Sequence, residues 1–216
     1  MTVRAVGFDL DDTLAVPERE RAAILREAAR AADATRLPDR EGYLRAHARN
    51  EAAETREPIF ADLLADGDPA AATRRYREAT AEALVPVDGA ADLFDSLRSA
   101  YNVGLLTDGP ARAQRSKLQS LGWTGRFDAV VVTGELGARK PSGRAFSELL
   151  AGLDADPTEA VYVGDDPERD VAGASAAGLR AVQVLGPGED PDPRADAHLR
   201  RDALATELPA LLRSFD

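Results

Sequence analysis

Strand-length apolar segments alternate with helical segments over much of the chain, and this alternation restricts the possible fold more than any other feature. Residues 3–8 form the first apolar segment, and four more follow between helical segments: NVGLLTDG, FDAVVVTGE, AVYVGDD and RAVQVL. Alternating strands and helices predict a parallel sheet with helices on both faces. We therefore predict an α/β fold with a doubly wound, Rossmann-like core.

A different kind of sequence interrupts this pattern after the first strand. Residues 16–86 are rich in Ala, Arg and Glu and carry apolar residues at helical spacing. Asp68 followed by Pro69 is a typical helix start. We predict that residues 16–86 form an all-helical cap, inserted into an α/β core made of residues 1–15 and 87–216.

Several cap side chains could be taken for functional residues. An aromatic group at helical positions is interpreted as the hydrophobic core of the cap: Tyr43, Phe60 and Tyr76. Three arginines could contact an acidic substrate, but solvent-facing positions with pairing to Glu are the favoured interpretation: Arg19, Arg45 and Arg49. His47 is interpreted as a packing or surface residue.

Charge and composition exclude several classes of partner. The 216 residues carry a formal net charge of −11, which disfavours binding to nucleic acids and to anionic membranes. The apolar segments are too short to span a bilayer, and the chain contains no Cys, which excludes disulfides and thiolate catalysis. No signal peptide is recognisable at the first residues, so we expect a cytoplasmic protein.

Polar side chains follow four of the predicted strands or their loops. They are Asp9 and Asp11, then Thr107 and Asp108, then Arg139 and Lys140, and finally Asp165 and Asp166. Any one of them alone would be interpreted as a turn or capping residue. In a parallel sheet, however, ligands bind beyond the carboxyl ends of the strands, where these groups would converge. The pattern predicts a polar site at that edge.

The segments around these residues resemble the four ordered motifs of the haloacid dehalogenase superfamily. The segments are FDLDDTL, LLTDG, RKPSGRAF and VGDDPERDVAGASAAG. The helical insert between the first two resembles the mobile cap of that family, in its phosphatase branch. The spacing of the later motifs is most similar to that of the N-acylneuraminate-9-phosphatase and nucleotidase-like members.

The resemblance implies roles for the first two motif aspartates. Asp9 corresponds to the carboxylate nucleophile that forms an aspartyl-phosphate, and a carboxylate suits this role because it is ionised at neutral pH without an activating base. Asp11 corresponds to the general acid and then base, although a turn-capping role is its structural alternative. Dehalogenases expel halide, which needs no proton, and have a different residue there. Asp11 therefore favours phosphate ester hydrolysis.

The resemblance also implies a magnesium site. Its ligands would be the carboxylate of Asp9, the backbone carbonyl of Asp11 and the carboxylate of Asp165. Asp170 corresponds to a second acidic position that acts through water or by orienting its neighbours, or it is a favourable charge at a helix N-terminus. Oxygen ligands suit Mg²⁺ better than zinc or copper, and His47 and His198 are remote from the motifs.

Phosphate binding is assigned by resemblance to Thr107, Asp108, Gly109 and Lys140. The Thr107 hydroxyl would donate to a phosphoryl oxygen, unless the residue serves only as a cap or strand former. Lys140 would pair with both the phosphate and Asp9. Asp108 and Asp166 depart from the family pattern, since Asn and a hydroxyl residue are common at these positions. Lys117 is interpreted as a surface residue.

The function implied is a Mg²⁺-dependent phosphatase that hydrolyses a small phosphorylated metabolite through an aspartyl-phosphate. A phosphomutase with the same motifs is the alternative within enzymes. A non-catalytic binding protein with this fold is a third possibility, disfavoured because every motif residue is present. We expect no nucleic-acid or membrane partner and a monomer or homodimer.

Overall fold

The computed structural model describes residues 2–50 and 55–215. The strands are β1 (Ala5–Phe8), β2 (Ala15–Pro17), β3 (Leu84–Pro86), β4 (Asn102–Thr107), β5 (Ala129–Val132), β6 (Ala160–Gly164), β7 (Arg180–Leu185) and β8 (Ala197–Arg200). The helices are α1 (Arg21–Ala31), α2 (Arg40–Arg49), α3 (Glu57–Leu63), α4 (Pro69–Glu82), α5 (Ala90–Leu97), α6 (Ala111–Ser120), α7 (Thr133–Leu136), α8 (Gly143–Leu153), α9 (Gly173–Ala176) and α10 (Leu204–Ser214).

Six of these strands form one sheet in the order β5-β4-β1-β6-β7-β8, and every neighbouring pair in it is parallel. In the described part of the chain, β2 and β3 form a separate two-stranded sheet. The predicted Rossmann-like α/β core is confirmed. The sixth strand, β8, was not predicted.

The sheet places the ends of three strands side by side. Phe8 at the end of β1 is in register with Leu105 of β4 and with Val163 of β6. The chain builds β4 and β5 on one side of β1 and then β6, β7 and β8 on the other. The strand order therefore reverses at β1, and such a switch point is where doubly wound sheets bind ligands.

Helix α8 packs closely on the sheet because β4 has a glycine beneath it. A β-carbon at Gly104 would lie 2.7 Å from Leu149 Cδ1 and 2.9 Å from Leu153 Cδ1, closer than atoms can approach. Phe146 of the same helix packs edge-on against the Tyr162 ring of β6, with ring centroids 5.1 Å apart. This packing fixes the strands that carry the polar residues at their ends.

The chain divides into two compact units. The first comprises Met1–Val16, Pro86–Gly109 and Trp123–Asp216, and the second comprises Pro17–Val85 and Pro110–Gly122. In the second unit, Tyr43 stacks on Tyr76 at 5.3 Å between ring centroids, and Phe60 packs against Tyr76 at 5.4 Å. All three rings are buried in one apolar cluster, which confirms their predicted packing role.

Other residues of the second unit also follow the sequence interpretation. The Asp68 side chain caps α4 by accepting from the Ala70 backbone N–H at 2.9 Å. Arg45 forms an (i, i+4) ion pair with Glu41, as predicted for a solvent-facing arginine. The other two arginines also pair with carboxylates, Arg19 with Glu27 and Arg49 with Asp62. His47 lies beside the Tyr43 ring, at 6.2 Å between centroids.

Two local predictions are wrong. The strand predicted over 127–135 ends at Val132, and the next four residues form the helical turn α7. Lys117 of α6 is buried, with 5% of its surface exposed, and is therefore not a surface residue. No helix among residues 2–50 and 55–215 has the length and apolar character needed to cross a membrane.

Candidate active site

A polar cavity of about 170 Å³ lies at the carboxyl ends of β1, β4 and β6. Its lining consists of Asp9, Asp11, Asp12, Thr107, Asp108, Lys140, Asp165, Asp166, Arg169 and Asp170. Seven of the eight predicted site residues are in this lining. The eighth, Gly109, follows Asp108, and its backbone N–H donates to Thr133 Oγ1 at 3.3 Å.

Lys140 is the hydrogen-bonding centre of the cavity. Its Nζ donates to Asp9 Oδ1 at 2.6 Å, to Asp170 Oδ1 at 2.6 Å and to the Tyr162 hydroxyl at 3.1 Å. The expected contact with Asp9 is present, and the side chain of Lys140 is only 3% exposed. An ammonium with three donors, each directed to a different oxygen, is held in one orientation.

Asp170 is held in place by a distorted helical turn. Residues Pro167–Ala172 form a π-helical segment, which Asp166 begins by accepting from the Glu168 and Arg169 backbone N–H groups. The wide turn directs Asp170 toward Lys140, while Asp170 Oδ2 accepts from the Asp166 backbone N–H at 3.0 Å. Both oxygens of the Asp170 carboxylate are therefore engaged.

Asp165 has a different environment. Its Oδ1 accepts from the Thr13 hydroxyl at 2.8 Å, which ties the loop after β1 to the end of β6. Burial raises the pKa of Asp165 to about 7, and the charge of Asp170 adds to this rise. The pKa of Asp165 is therefore raised first by burial and second by the neighbouring carboxylate, and a bound cation would counter both effects.

Burial and neighbouring charges shift the pKa values of both Asp9 and Lys140. Burial raises the pKa of Asp9 well above its usual value; Lys140 acts in the opposite direction, and Asp170 and Asp165 raise it further. Burial alone would lower the pKa of Lys140, but the charges of Asp170 and Asp9 offset that effect and raise it. Lys140 is therefore charged, and the carboxylates around it outnumber it.

Thr107 provides a second sign that the cavity is built for a ligand. The residue is fully buried, and its Oγ1 has no hydrogen-bond partner in the described part of the chain. A buried hydroxyl without a partner is costly, so such groups usually meet a ligand or an ordered water. Thr107 lines the cavity at the end of β4, so a ligand bound there could accept from its hydroxyl.

The two acidic departures from the family pattern have structural partners. Asp108 Oδ1 accepts from the Lys140 backbone N–H at 3.2 Å, so this carboxylate anchors the loop that carries Lys140. Asp166 caps the helical turn that carries Asp170. Each carboxylate thus accepts hydrogen bonds from backbone donors, which compensates part of the added charge.

Sequence comparison assigns the chain to a family. The model of the haloacid dehalogenase-like hydrolases matches residues 3–178. The protein belongs to this family. Glyceraldehyde 3-phosphate phosphatase of Methanopyrus kandleri is 33% identical over 208 residues, which cover 90% of this chain and 89% of that protein. The predicted family resemblance is confirmed.

A further relative and a solved structure are also similar to this chain. N-acylneuraminate-9-phosphatase of Mus musculus is 32% identical over 134 residues, 62% of this chain and 54% of that protein, so the match spans about half of that relative. The structure of the HAD-hydrolase YfnB from Bacillus subtilis, bound to magnesium, has a TM-score of 0.73 at 21% identity and covers 98% of this chain and 99% of that one. The last comparison concerns the fold. Together with the family, the phosphatase relatives identify this hydrolase as a phosphoric monoester hydrolase.

Sequence reasoning missed two residues of the hydrolase's site. Thr13 donates to Asp165, and Tyr162 accepts from Lys140 while its hydroxyl donates to the Leu106 carbonyl at 3.0 Å. A signal for Tyr162 exists in the segment AVYVG, because a hydroxyl in an otherwise aliphatic buried strand needs a partner. Thr13 carries no comparable signal, since its partner lies 152 residues away.

The donor set fits a hard divalent cation. Carboxylate oxygens of Asp9, Asp165 and Asp170 lie within 4.8 Å of one another. Oxygen ligands and surplus negative charge are what Mg²⁺ requires. Both oxygens of the Asp170 carboxylate already accept hydrogen bonds, whereas the Asp165 carboxylate accepts one, on Oδ1. Asp165 is therefore better placed to bind the cation, and Asp170 is better placed to hold the neighbouring groups in position.

Proposed function

We propose that this hydrolase is a Mg²⁺-dependent phosphatase that removes phosphate from a small metabolite through an aspartyl-phosphate on Asp9. The observation that carries the proposal is the contact of Lys140 with Asp9 and Asp170, both at 2.6 Å, in one cavity with Asp11, Thr107 and Asp165. The phosphatase relatives support the substrate class. The magnesium in the related YfnB structure supports the choice of metal.

In the first half-reaction, an oxygen of Asp9 attacks phosphorus, and the bond from phosphorus to the ester oxygen breaks. Protonated Asp11 gives its proton to the departing oxygen, which leaves as an alcohol. Lys140 offsets charge on Asp9 and on the transferred phosphoryl group, and the Thr107 hydroxyl donates to a phosphoryl oxygen.

In the second half-reaction, Asp11 accepts a proton from a water molecule that attacks the phosphorus of the aspartyl-phosphate. The bond between phosphorus and Asp9 breaks, which releases inorganic phosphate and restores the carboxylate.

We assign the Asp9 carboxylate, the Asp11 backbone carbonyl and the Asp165 carboxylate as ligands of the metal. Asp170 would orient the neighbouring side chains of this site. When bound, Mg²⁺ supplies positive charge for the phosphoryl oxygens. Backbone groups of Asp108 and Gly109 belong to the proposed phosphate site. The boundaries of a cap at 16–86, a cytoplasmic location and a monomeric or homodimeric state remain part of this proposal.

Hydrolysis of p-nitrophenyl phosphate with Asp9→Asn tests the proposal. We expect the variant to release no phosphate above background, while the exposed Asp88→Asn control keeps wild-type activity. Removal of Mg²⁺ with EDTA should abolish wild-type turnover, and added Mg²⁺ should restore it. Wild-type activity in folded Asp9→Asn would overturn the proposal. Isomerisation of a sugar phosphate without net release of phosphate would instead identify a mutase.

A further inference from the structure

The loop between β7 and β8, residues 186–196, contacts the π-helical turn Pro167–Ala172 through one arginine. Arg194 Nη2 donates to the Pro167 carbonyl oxygen at 3.2 Å and to Glu168 Oε1 at 2.7 Å. Both segments belong to the first compact unit. Arg194 therefore links the loop to the first two residues of the turn.

The guanidinium of Arg194 is itself held by Asp192. Its Nε donates to Asp192 Oδ1 at 2.9 Å and its Nη2 to Asp192 Oδ2 at 2.6 Å, which makes the pair bidentate. The Arg194 backbone N–H also donates to Asp192 Oδ1, at 2.8 Å. An isolated ion pair at a protein surface contributes little, but bidentate geometry within a network is an exception. The orientation of the guanidinium is therefore fixed.

Asp192 is fixed to the sheet through its backbone. Its N–H donates to Gln183 Oε1 at 2.7 Å, and its carbonyl oxygen lies 2.9 Å from His198 Nε2. Gln183 of β7 and His198 of β8 are register partners on neighbouring strands. The Gln183 side chain is buried, and a buried amide requires hydrogen-bond partners such as this one. A continuous set of contacts thus runs from β7 to Arg194.

The π-helical turn depends on hydrogen bonds to Asp166. Asp166 Oδ1 accepts from the backbone N–H groups of Glu168 and Arg169. The Asp166 carbonyl accepts from the N–H groups of Asp170 and Val171, at 2.9 and 3.2 Å. The bond from residue 171 to residue 166 is the wide spacing of a π-helix, a rare conformation that is frequent at functional sites. The position of the Asp170 carboxylate therefore depends on this turn.

We propose that Arg194 is a positioning residue that holds the π-helical turn in place, so that the Asp170 carboxylate stays on Lys140. Arg194 acts through the turn and contacts no reacting atom. The turn begins directly after Asp165, the proposed metal ligand, so loosening it weakens the binding of Mg²⁺. The effect on turnover rests on the proposed phosphatase function, whereas the effect on the turn is a property of the metal-free chain.

Amide hydrogen exchange of the metal-free protein tests the effect on the turn. In Arg194→Gln we expect the peptide covering residues 166–171 to exchange about threefold faster or more, because local opening of this segment becomes easier. Peptides from α8 and β4 should exchange as in wild type, which shows that the variant is folded. The control Arg200→Gln also removes an arginine paired with an aspartate two positions away, Asp202 at 3.4 Å, and should leave the turn unchanged.

A second variant tests whether the contacts form one network. Asp192→Ala removes the bidentate partner of Arg194 and should also speed exchange in residues 166–171. In Arg194→Gln/Asp192→Ala the rate should be no higher than in Arg194→Gln, because both changes break the same link. Rate increases that multiply in the double variant would contradict the network.

Turnover of p-nitrophenyl phosphate supplies a readout that general destabilisation would not move. In Arg194→Gln the Mg²⁺ concentration for half-maximal activity should rise about three- to tenfold, less than the roughly 10- to 100-fold typical of groups that contact metal ligands directly. KM for the ester and kcat at saturating Mg²⁺ should be unchanged. A loss of kcat at saturating Mg²⁺ with an unchanged Mg²⁺ requirement would overturn the inference.

The two measurements separate failure of this inference from failure of the phosphatase function. Equal exchange in residues 166–171 of wild type and Arg194→Gln overturns the inference whatever the activity. Faster exchange in every segment of Arg194→Gln also overturns it, because the effect would then be on the whole fold. If wild type hydrolyses no phosphate ester but the local difference is present, the positioning role stands and the phosphatase proposal fails.

Discussion

The carboxylate of Asp170 occupies the space into which a side chain on Gly164 would project. A β-carbon on Gly164 would lie 2.4 Å from both Cγ and Oδ2 of Asp170. The absence of a side chain at the end of β6 is therefore what allows the Asp170 carboxylate to reach Lys140. The glycine acts on the site through Asp170 and contacts no reacting atom in the proposed mechanism.

Gly164→Ala should displace Asp170 from Lys140. Loss of a group that orients metal ligands typically costs about 10- to 100-fold, so we expect kcat/KM to fall by that factor and the Mg²⁺ concentration for half-maximal activity to rise. Gly143→Ala is the control, because a β-carbon there meets nothing within 4 Å. Unchanged Mg²⁺ dependence and activity in Gly164→Ala would show that the position of Asp170 is unimportant.

Tyr162→Phe should reduce stability more than activity. The variant leaves the buried Leu106 carbonyl without its donor, which lowers the free energy of unfolding by about 1–3 kcal/mol. Lys140 keeps its contacts with Asp9 and Asp170, so kcat should fall only a few-fold. Urea unfolding and steady-state kinetics measure the two effects, with Tyr101→Phe as the control. A variant as stable as wild type would contradict this account of the hydroxyl.

Magnesium should stabilise the protein more at high pH than at low pH. Asp165 has a pKa of about 7 in the metal-free fold, against about 3.9 in an unfolded chain. Between these values the folded state binds more protons than the unfolded state, so the metal-free protein loses stability as the pH rises through this window. A bound cation removes that penalty.

Thermal unfolding with and without Mg²⁺ at about pH 5.5 and about pH 8 measures this effect. We expect the larger rise in melting temperature at the higher pH and a smaller difference between the two conditions in Asp165→Asn. A rise that is the same at both pH values in wild type would contradict the assignment of Asp165 as a metal ligand.

The sequence predicts the buried strands well because they are apolar and end in polar residues. It misses β8 because AHLR has only one buried residue, Leu199, and an edge strand of this kind has little hydrophobic pattern. The strand over 127–135 is predicted too long because a run of valines has no signal for the helical turn at Thr133. Lys117 is misplaced because a lysine on a helix is usually exposed.

For the site, the sequence indicates which aspartates converge, since parallel topology brings the ends of the strands together. It does not indicate that Asp170 and Tyr162 share Lys140, because these contacts depend on a π-helical turn and on side-chain packing. The sequence likewise does not indicate that Asp108 and Asp166 accept hydrogen bonds from backbone N–H groups, because these contacts form only in the folded structure. Long-range partners such as Thr13 and Asp165 leave no local pattern.

The central claim is that Asp9 becomes phosphorylated during turnover. Rapid quenching of the enzyme with substrate and Mg²⁺, followed by borohydride reduction and peptide mass spectrometry, measures this directly, because hydride converts an acyl-phosphate to an alcohol and releases phosphate. We predict a substrate-dependent mass loss of about 14 Da at position 9, the change from a carboxyl to a hydroxymethyl group, and at no other acidic residue. Turnover with an unmodified position 9, or reduction at another aspartate, would contradict the account.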